Sequence, residues 1–516
     1  MFKKRNFIIL NILLLTSLGT VFPQKTVYVK DFGAIGNGKN DDGKAIQTAY
    51  NRAEKINGTV VFERNKNYRI TGTLCITSNT EGNGSTLVPS PPLGRAIYFS
   101  RDGILVSNLN FKSNHLKYIN INKNNITLKG CKIEGQSYFI LLSVNGDNLK
   151  IKHSSIINNF KERSQYAIHS ISGVSGLLVE NSNIYGGIFL ANNENKNAGD
   201  YQFINNYFTV NYSHLPQAMV VQNDAFYFRS IDGVHFNKNT FNFKDINRGF
   251  KFTDKGEGSL ANISNFPPNN IYFVSNHIKS NSINGKQLFD FFSGSINITI
   301  VENIIRSKGH TSVFEDKTQV NLKQDRSFLI NDNTIYFDYT LLFLRANPSN
   351  KFMKSIEFNN NQLIYTSDSF KKSIDRISDS KVSSVQEIKF NYLFDIYDYD
   401  EVIYTDNKLT SQKAKLEFVG RYTFRFINNK NIVIKNSNFS GGINLKSDNG
   451  IGNITFTGNR IDESNFKESI IVFEGEGIYN VTLNNNKATK SNAKSFLPNS
   501  KKLNMISNKN NVISLF

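Results

Sequence analysis

Six short segments share one pattern: AIHSI from Ala167, GIFLA from Gly187, AFYFR from Ala225, GFKFT from Gly249, LFDFF from Leu288 and SVFED from Ser312. Registered on the second residue, apolar in each, they are expected to be strands whose third and fifth residues point away from the core. The third positions read His169, Phe189, Tyr227, Lys251, Asp290 and Phe314. The fifth include Arg229, Thr253, Phe292 and Asp316, and Arg248 and Asp254 flank the Lys251 strand. Such a set can do two kinds of chemistry. Arg229 could neutralise a carboxylate so that the proton on the adjoining carbon becomes acidic. Lys251 or Tyr227 could take that proton, a nearby cation favouring the deprotonated form of either, with His169 as a further acid/base candidate. Paired carboxylates could instead cleave a glycosidic bond by hydrolysis: Asp290 with Asp254, or Glu315 with Asp316. Glu315 and Asp316 are adjacent and face opposite ways on a strand, so only one of them can serve. Arg248, Asp254, Phe189 and Phe292 are candidate substrate contacts on this solvent-facing sheet. A plainer reading competes, since Lys beside Asp on neighbouring strands is a common solvated pair. A one-residue slip in register would reverse every assignment.

What positions these residues is a repeat. From about Asp102 an alternating apolar stretch, an Asn corner and another apolar pair recur: ILVSNLNF at Ile104, LLVENSNI at Leu177, VHFNKNTF at Val234, ITIVENII at Ile298 and ITFTGNRI at Ile454. The spacing is mostly about 22 to 37 residues, which is the range of a solenoid. Period-two alternation without long helical segments predicts an all-β, single-stranded, right-handed parallel β-helix. Its coils would stack at ~4.8 Å. Asn158, Asn181, Asn206, Asn239, Asn276 and Asn303 are then expected to hydrogen-bond up the stack rather than do chemistry. The Asn-Ile-Thr and Asn-Val-Thr triplets at Asn125, Asn297, Asn453 and Asn480 belong to the same repeat and are not read as glycosylation signals. Residues 43–56 place Ala45, Ile46, Ala49, Ala53 and Ile56 on one face, which predicts a short helix capping the open N-terminal end.

The 516 residues exceed a typical single compact core, and the net charge of +19 favours acidic partners. Basic residues are spread along the chain and an export signal is expected, which together argue against nucleic acid. Lys3, Lys4 and Arg5 precede the apolar stretch Ile8 to Leu18, so residues 1–24 read as a signal peptide and the chain as secreted or periplasmic. No later run is long enough to span a membrane. The expected division is 1–24 signal peptide, 25–101 cap and first coils, and 102–516 β-helix with a less regular excursion around 368–430. Two cysteines, Cys75 and Cys131, exclude a disulfide framework and a Cys-rich metal site, and both are expected to be buried thiols.

One stretch, GNGKNDDGKAIQTAY from Gly36, comes close to a phosphate-binding loop. Ala45 stands where Ser or Thr is needed, and Asp41 and Asp42 would repel phosphate. VKDFGAIGNGKNDDGKAIQTAY, followed by GTVVFERNKNYRI at Gly58, instead resembles the N-terminal segment of the pectate-lyase-like β-helix superfamily. The resemblance covers residues 26–72 closely and the later coils by pattern. It implies that Asp31, Gly33, Gly36, Gly38, Asp41 and Asp42 shape a turn and cap the helix. It is specific for fold and poor for activity, because hydrolases, uronate lyases, epimerases and tailspikes share this segment. The Asn-Thr-Asp, Gly-His-Gly and Arg-Ile-Lys set of polygalacturonases and the Asp-Pro-His-Glu of epimerases are missing. No residue role carries over from them. The expectation is an exported, monomeric enzyme cleaving an anionic, uronate-containing polysaccharide or oligosaccharide by β-elimination. The alternatives are a glycoside hydrolase of the same fold, and a non-catalytic glycan-binding, adhesin or tailspike-like β-helix. No protein metal site is expected, and Ca²⁺ is the one cofactor left open.

Overall fold

The computed structural model describes residues 25–513 except 91–96, 114–118, 137–139, 160–165, 193–197, 216–223, 255–266, 292–294, 318–323, 347, 350, 367–391, 412–421, 449, 463–468, 490–492, 494 and 499–501. The expected signal segment, Phe292 and much of the 368–430 stretch therefore lie outside the described residues.

The chain folds as a right-handed parallel β-helix, as the repeat led us to expect. One coil shows how. Asp232–Asn237 forms a strand, the chain turns at Lys238 and Asn239, Thr240–Lys244 forms a second strand, and Arg248–Thr253 a third. Each pairs in parallel with its counterpart one coil on, giving three ladders up the molecule. The second and third ladders merge where His277–Phe291 and Ile304–Lys317 run through the corner as single long strands. At that bend Gly285 is required: an added Cβ would sit 2.5 Å from the buried ring of His310.

The coil spacing falls within the range at which offset aromatic rings stack. Inward Phe residues stack on their equivalents at the ladder distance. Phe203 lies 4.9 Å from Phe236, Phe236 4.6 Å from Phe273, and Phe250 5.1 Å from Phe289.

The Asn corner is a continuous hydrogen-bonded column. The Asn276 amide donates to Phe236 O and Asn303 Oδ1, while its Oδ1 accepts from the N–H and Nδ2 of Asn239. Every such side chain saturates backbone groups that the corner would leave orphaned. The column runs Asn206, Asn239, Asn276, Asn303, Asn333, Asn361, Asn407. Two expected members are displaced. Asn181 sits one residue early, at φ +50°, and Ser182 takes the column position. Asn158 bonds to Tyr166 O instead, and Ser154 and Cys131 continue the column downward. The signal for the true position is the preceding residue, left-handed at Asn205, Lys238, Ser275 and Glu302 alike, because that is how the corner turns sharply enough.

The capping helix spans Gly43–Ile56 as expected, and its buried face is Ile46, Ala49, Tyr50 and Ala53. Tyr50 was missed; its hydroxyl bonds to Thr80, while Ala45 and Ile56 are only partly buried. Asp41 accepts the Gly43 N–H, whereas Asp42 holds the N–H groups of Ile35 and Gly36. The phosphate-loop reading fails here too, since Asn37 takes the N–H groups of Lys39 and Asn40. Cys131 is buried, its thiol pushed up to about 11 by desolvation, but Cys75 is half-buried, contrary to expectation.

Candidate functional site

Strand pairing brings His169, Phe189, Tyr227, Lys251 and Asp290 into one column on the outer side of the third ladder, as the segments predict. The sixth member is corrected. Asp290 is level with Glu315, and Phe314 pairs with Phe289 inside the coil, where the rings stack at 5.0 Å. Asp316 therefore also points inward, against expectation. It forms an ion pair with Arg326 and accepts from the Tyr399 hydroxyl at 3.3 Å, with both charged groups wholly enclosed. Of the adjacent pair, Glu315 is the outward one.

The column is not solvated, which corrects the exposed sheet face expected above: His169, Tyr227, Lys251, Asp290 and Glu315 are 3% to 6% exposed. The side chains shield one another at ladder spacing. His169 stacks on Phe189 at 4.9 Å, Phe189 on Tyr227 at 4.6 Å, and Lys251 Nζ lies 5.0 Å from the Tyr227 ring centre. Phe189 and Arg248 are the partly exposed members. Burial lowers the His169 pKa to about 4, so near neutrality it is a neutral stacking ring and not an acid.

Charges are compensated within the cluster. Arg248 reaches Asp224 at 3.1 Å and Asp290 at 2.8 Å, and also donates to Gln287. Lys251 lies 3.8 Å from Asp224, and Ser312 donates to Glu315 at 3.0 Å. For Asp290, desolvation outweighs the pull of Arg248, and with Glu315 adding to it the pKa rises to about 7. A carboxyl whose folded pKa is raised binds a proton that the unfolded chain has lost. Its contribution to stability is full below about 4 and is lost as pH rises through about 7. We therefore expect the difference in melting temperature between Asp290→Asn and the unaltered protein to grow in favour of the variant from pH ~4 to ~8. A pH-independent difference would show that Asp290 stays ionised throughout.

Arg229 follows Tyr227 by two residues on the same side, level with Ala191 and Thr253. It is 1% exposed, and its Nε and Nη2 have no hydrogen-bond partner among the described residues. Asp254 lies three residues beyond Lys251, about 10 Å along the strand from the level of Asp290. The two are not brought together as a hydrolytic pair, and Glu315 is the carboxylate beside Asp290.

The column goes on past the segments first recognised, through Phe343, Asp395, Arg425 and Asn444. Arg425 grips Asp395 at 2.7 and 2.5 Å, and Tyr397 lies against both. LLFLR from Leu341, LFDIY from Leu393 and TFRFI from Thr423 follow the same grammar as the six opening segments and could have revealed this set. A groove of about 670 Å³ lies on the first ladder, lined by Asp200, Asp232, His235 and Tyr272, with the two rings stacked at 4.5 Å. Among the described residues no three His, Cys, Asp or Glu side chains are placed to hold a metal ion. The carboxylates of Asp224, Asp290 and Glu315 are engaged by Arg248, Lys251 and Ser312, a poor fit for Ca²⁺. No helix among the described residues is long and apolar enough to cross a membrane.

No profile of a known family matches the chain, and no curated protein does. Solved structures of similar architecture include the A-module of Azotobacter vinelandii mannuronan C-5 epimerase AlgE6, at 14% identity over 95% of this chain and 99% of that one, TM-score 0.32. Others are a family 28 exopolygalacturonase of Yersinia enterocolitica, at 12% over 95% and 78%, TM-score 0.27, and the Streptococcus pneumoniae adhesin PfbA, at 15% over 91% of each, TM-score 0.27. Two of these names are enzymes and one is an adhesin, so at these identities and TM-scores they do not bear on chemistry.

Proposed function

We propose that the chain is an exported carbohydrate-active enzyme that cleaves a uronate-containing polysaccharide by β-elimination on the outer side of the third ladder. One observation carries the reading: Arg229, a buried guanidinium whose Nε and Nη2 have no hydrogen-bond partner among the described residues, stands two residues from Tyr227 on the same side of the strand. A buried cation without a counter-charge is costly, and a sugar carboxylate is the group that would relieve it. With the carboxylate held there, its negative charge no longer opposes loss of the C5 proton. Tyr227 takes that proton, and the Lys251 ammonium beside the ring stabilises the phenolate that results. The electron pair of the C5–H bond forms the C4–C5 double bond as the C4–O bond breaks. Asp290, whose pKa of about 7 leaves about half of it protonated at neutral pH, gives that proton to the departing oxygen. The aromatic stack of His169, Phe189 and Tyr227 offers sugar-ring contact at the partly exposed Phe189.

A second reading has its own support. Asp290 and Glu315 are level on adjacent coils, and a carboxyl with pKa about 7 beside another is how a hydrolase holds its acid. Ultraviolet absorbance and reducing ends, followed together over a panel of acidic polysaccharides, separate the two. Elimination raises both, because its product is an unsaturated uronate, and hydrolysis raises reducing ends alone. Neither signal on any polymer would overturn both readings in favour of a binding-only β-helix.

A further inference from the structure

The outer columns repeat a pattern four rungs apart. Tyr227 is followed two residues later by Arg229, and Phe343, four pairings up the same column, is followed two residues later by Arg345. At ~4.8 Å per coil the two arginines stand about 19 Å apart along the axis. Arg345 is held ready for a ligand. It is exposed, and its guanidinium lies 4.4 Å from the Tyr397 ring centre and 5.5 Å from that of Phe343. Among the described residues no carboxylate pairs with it, because Asp395, the acid on the neighbouring rung, is already taken by Arg425 at 2.7 and 2.5 Å. The group thus has one guanidinium spent on a carboxylate and one left to spend, on a rigid aromatic seat.

We propose that Arg345 is a second anion-holding position on the same face, so that one polyuronate chain lies along the axis of the β-helix and is gripped by its carboxylates at Arg229 and at Arg345. This rests on the proposed function. It adds that the enzyme measures chain length: a substrate must reach about 19 Å from the reacting sugar to use both positions. An extended uronan presents a carboxylate on each sugar at a rise close to the coil spacing, so rungs and sugars run nearly in step.

The test is a size series of oligomers prepared from whichever panel polymer the unaltered protein cleaves, assayed with Arg345→Ala and Arg345→Lys. Melting curves confirm that each variant folds. For oligomers long enough to span both arginines, Arg345→Ala is expected to raise KM ~10-fold with kcat held, the worth of one charge-assisted contact, and Arg345→Lys to raise it less. Oligomers too short to reach Arg345 should keep their KM. An Arg345→Ala effect that is equal at all lengths, or missing on the longest, would overturn the two-point grip while leaving the cleavage site standing. If the unaltered protein cleaves no polyuronate at all, the proposed function falls first and the grip falls with it.

Discussion

Arg229→Met is expected to lower kcat/KM on the polyuronate by ~10²- to 10³-fold while raising, not lowering, the stability of the protein by ~1–2 kcal/mol. The two halves of this result come from one cause. The guanidinium is enclosed on the outer side of the sheet, and two of its nitrogens make no hydrogen bond among the described residues. Folding strips water from these two donors and, among the described residues, returns no partner to them, so an apolar side chain of similar volume relieves the folded state. Function needs the unsatisfied charge, because neutralising a carboxylate is how the C5 proton becomes removable. Melting temperature and initial rates decide the matter together. If both fall, Arg229 is a structural residue and the site lies elsewhere; if neither changes, it has no part in catalysis.

The second large effect concerns stability alone. Asp316→Ala should destabilise by ~3–5 kcal/mol, because it leaves the Arg326 charge enclosed inside the coil with its ion-pair partner gone. Arg326 also donates to Ser295 O at 2.6 Å and lies 4.7 Å from the Phe328 ring, so it cannot swing out to water without dismantling the coil. Replacing both residues, as Asp316→Leu with Arg326→Met, should recover most of the loss. Urea titrations of the two single variants and the double form a cycle in which a strong positive coupling is expected. Additive losses would mean that the pair contributes nothing as a pair. Turnover at a temperature where each variant is folded should be unchanged, since the pair faces inward, away from Tyr227 and Lys251.

These two cases show what could and could not be read from the chain. Alternation fixed the outward column from His169 to Asp290, because Ile168, Ile188, Phe226, Phe250 and Phe289 are each apolar in a polar-facing context. It failed at the next coil. Val313 and Phe314 are both apolar, so the pattern has no preference there. The register is settled by the Phe289–Phe314 stack and by the Asp316–Arg326 pair, which depends on a residue ten positions later. The Asn column was legible in kind but misplaced at Asn158 and Asn181, since an Asn in the left-handed position and an Asn in the column look alike in sequence. The set at Asp395, Tyr397 and Arg425 stayed hidden because the repeat stretches there: Asn361 and Asn407 are 46 residues apart, against 28 for Asn333 and Asn361. That the outward residues are enclosed, and that two Arg229 nitrogens find no hydrogen-bond partner among the described residues, depends on three-dimensional packing that no local pattern encodes.

The central claim is that an acidic sugar chain lies on the outer side of the third ladder with a carboxylate on Arg229. Its most direct test is a crystal structure of the Tyr227→Phe variant with an oligomer of the polymer that the unaltered protein cleaves. The account predicts a carboxylate within hydrogen-bonding distance of Arg229 Nε and Nη2, and the sugar chain running toward Arg345. An oligomer bound instead in the groove beside His235 and Tyr272, with the Arg229 donors still unpartnered, would contradict it.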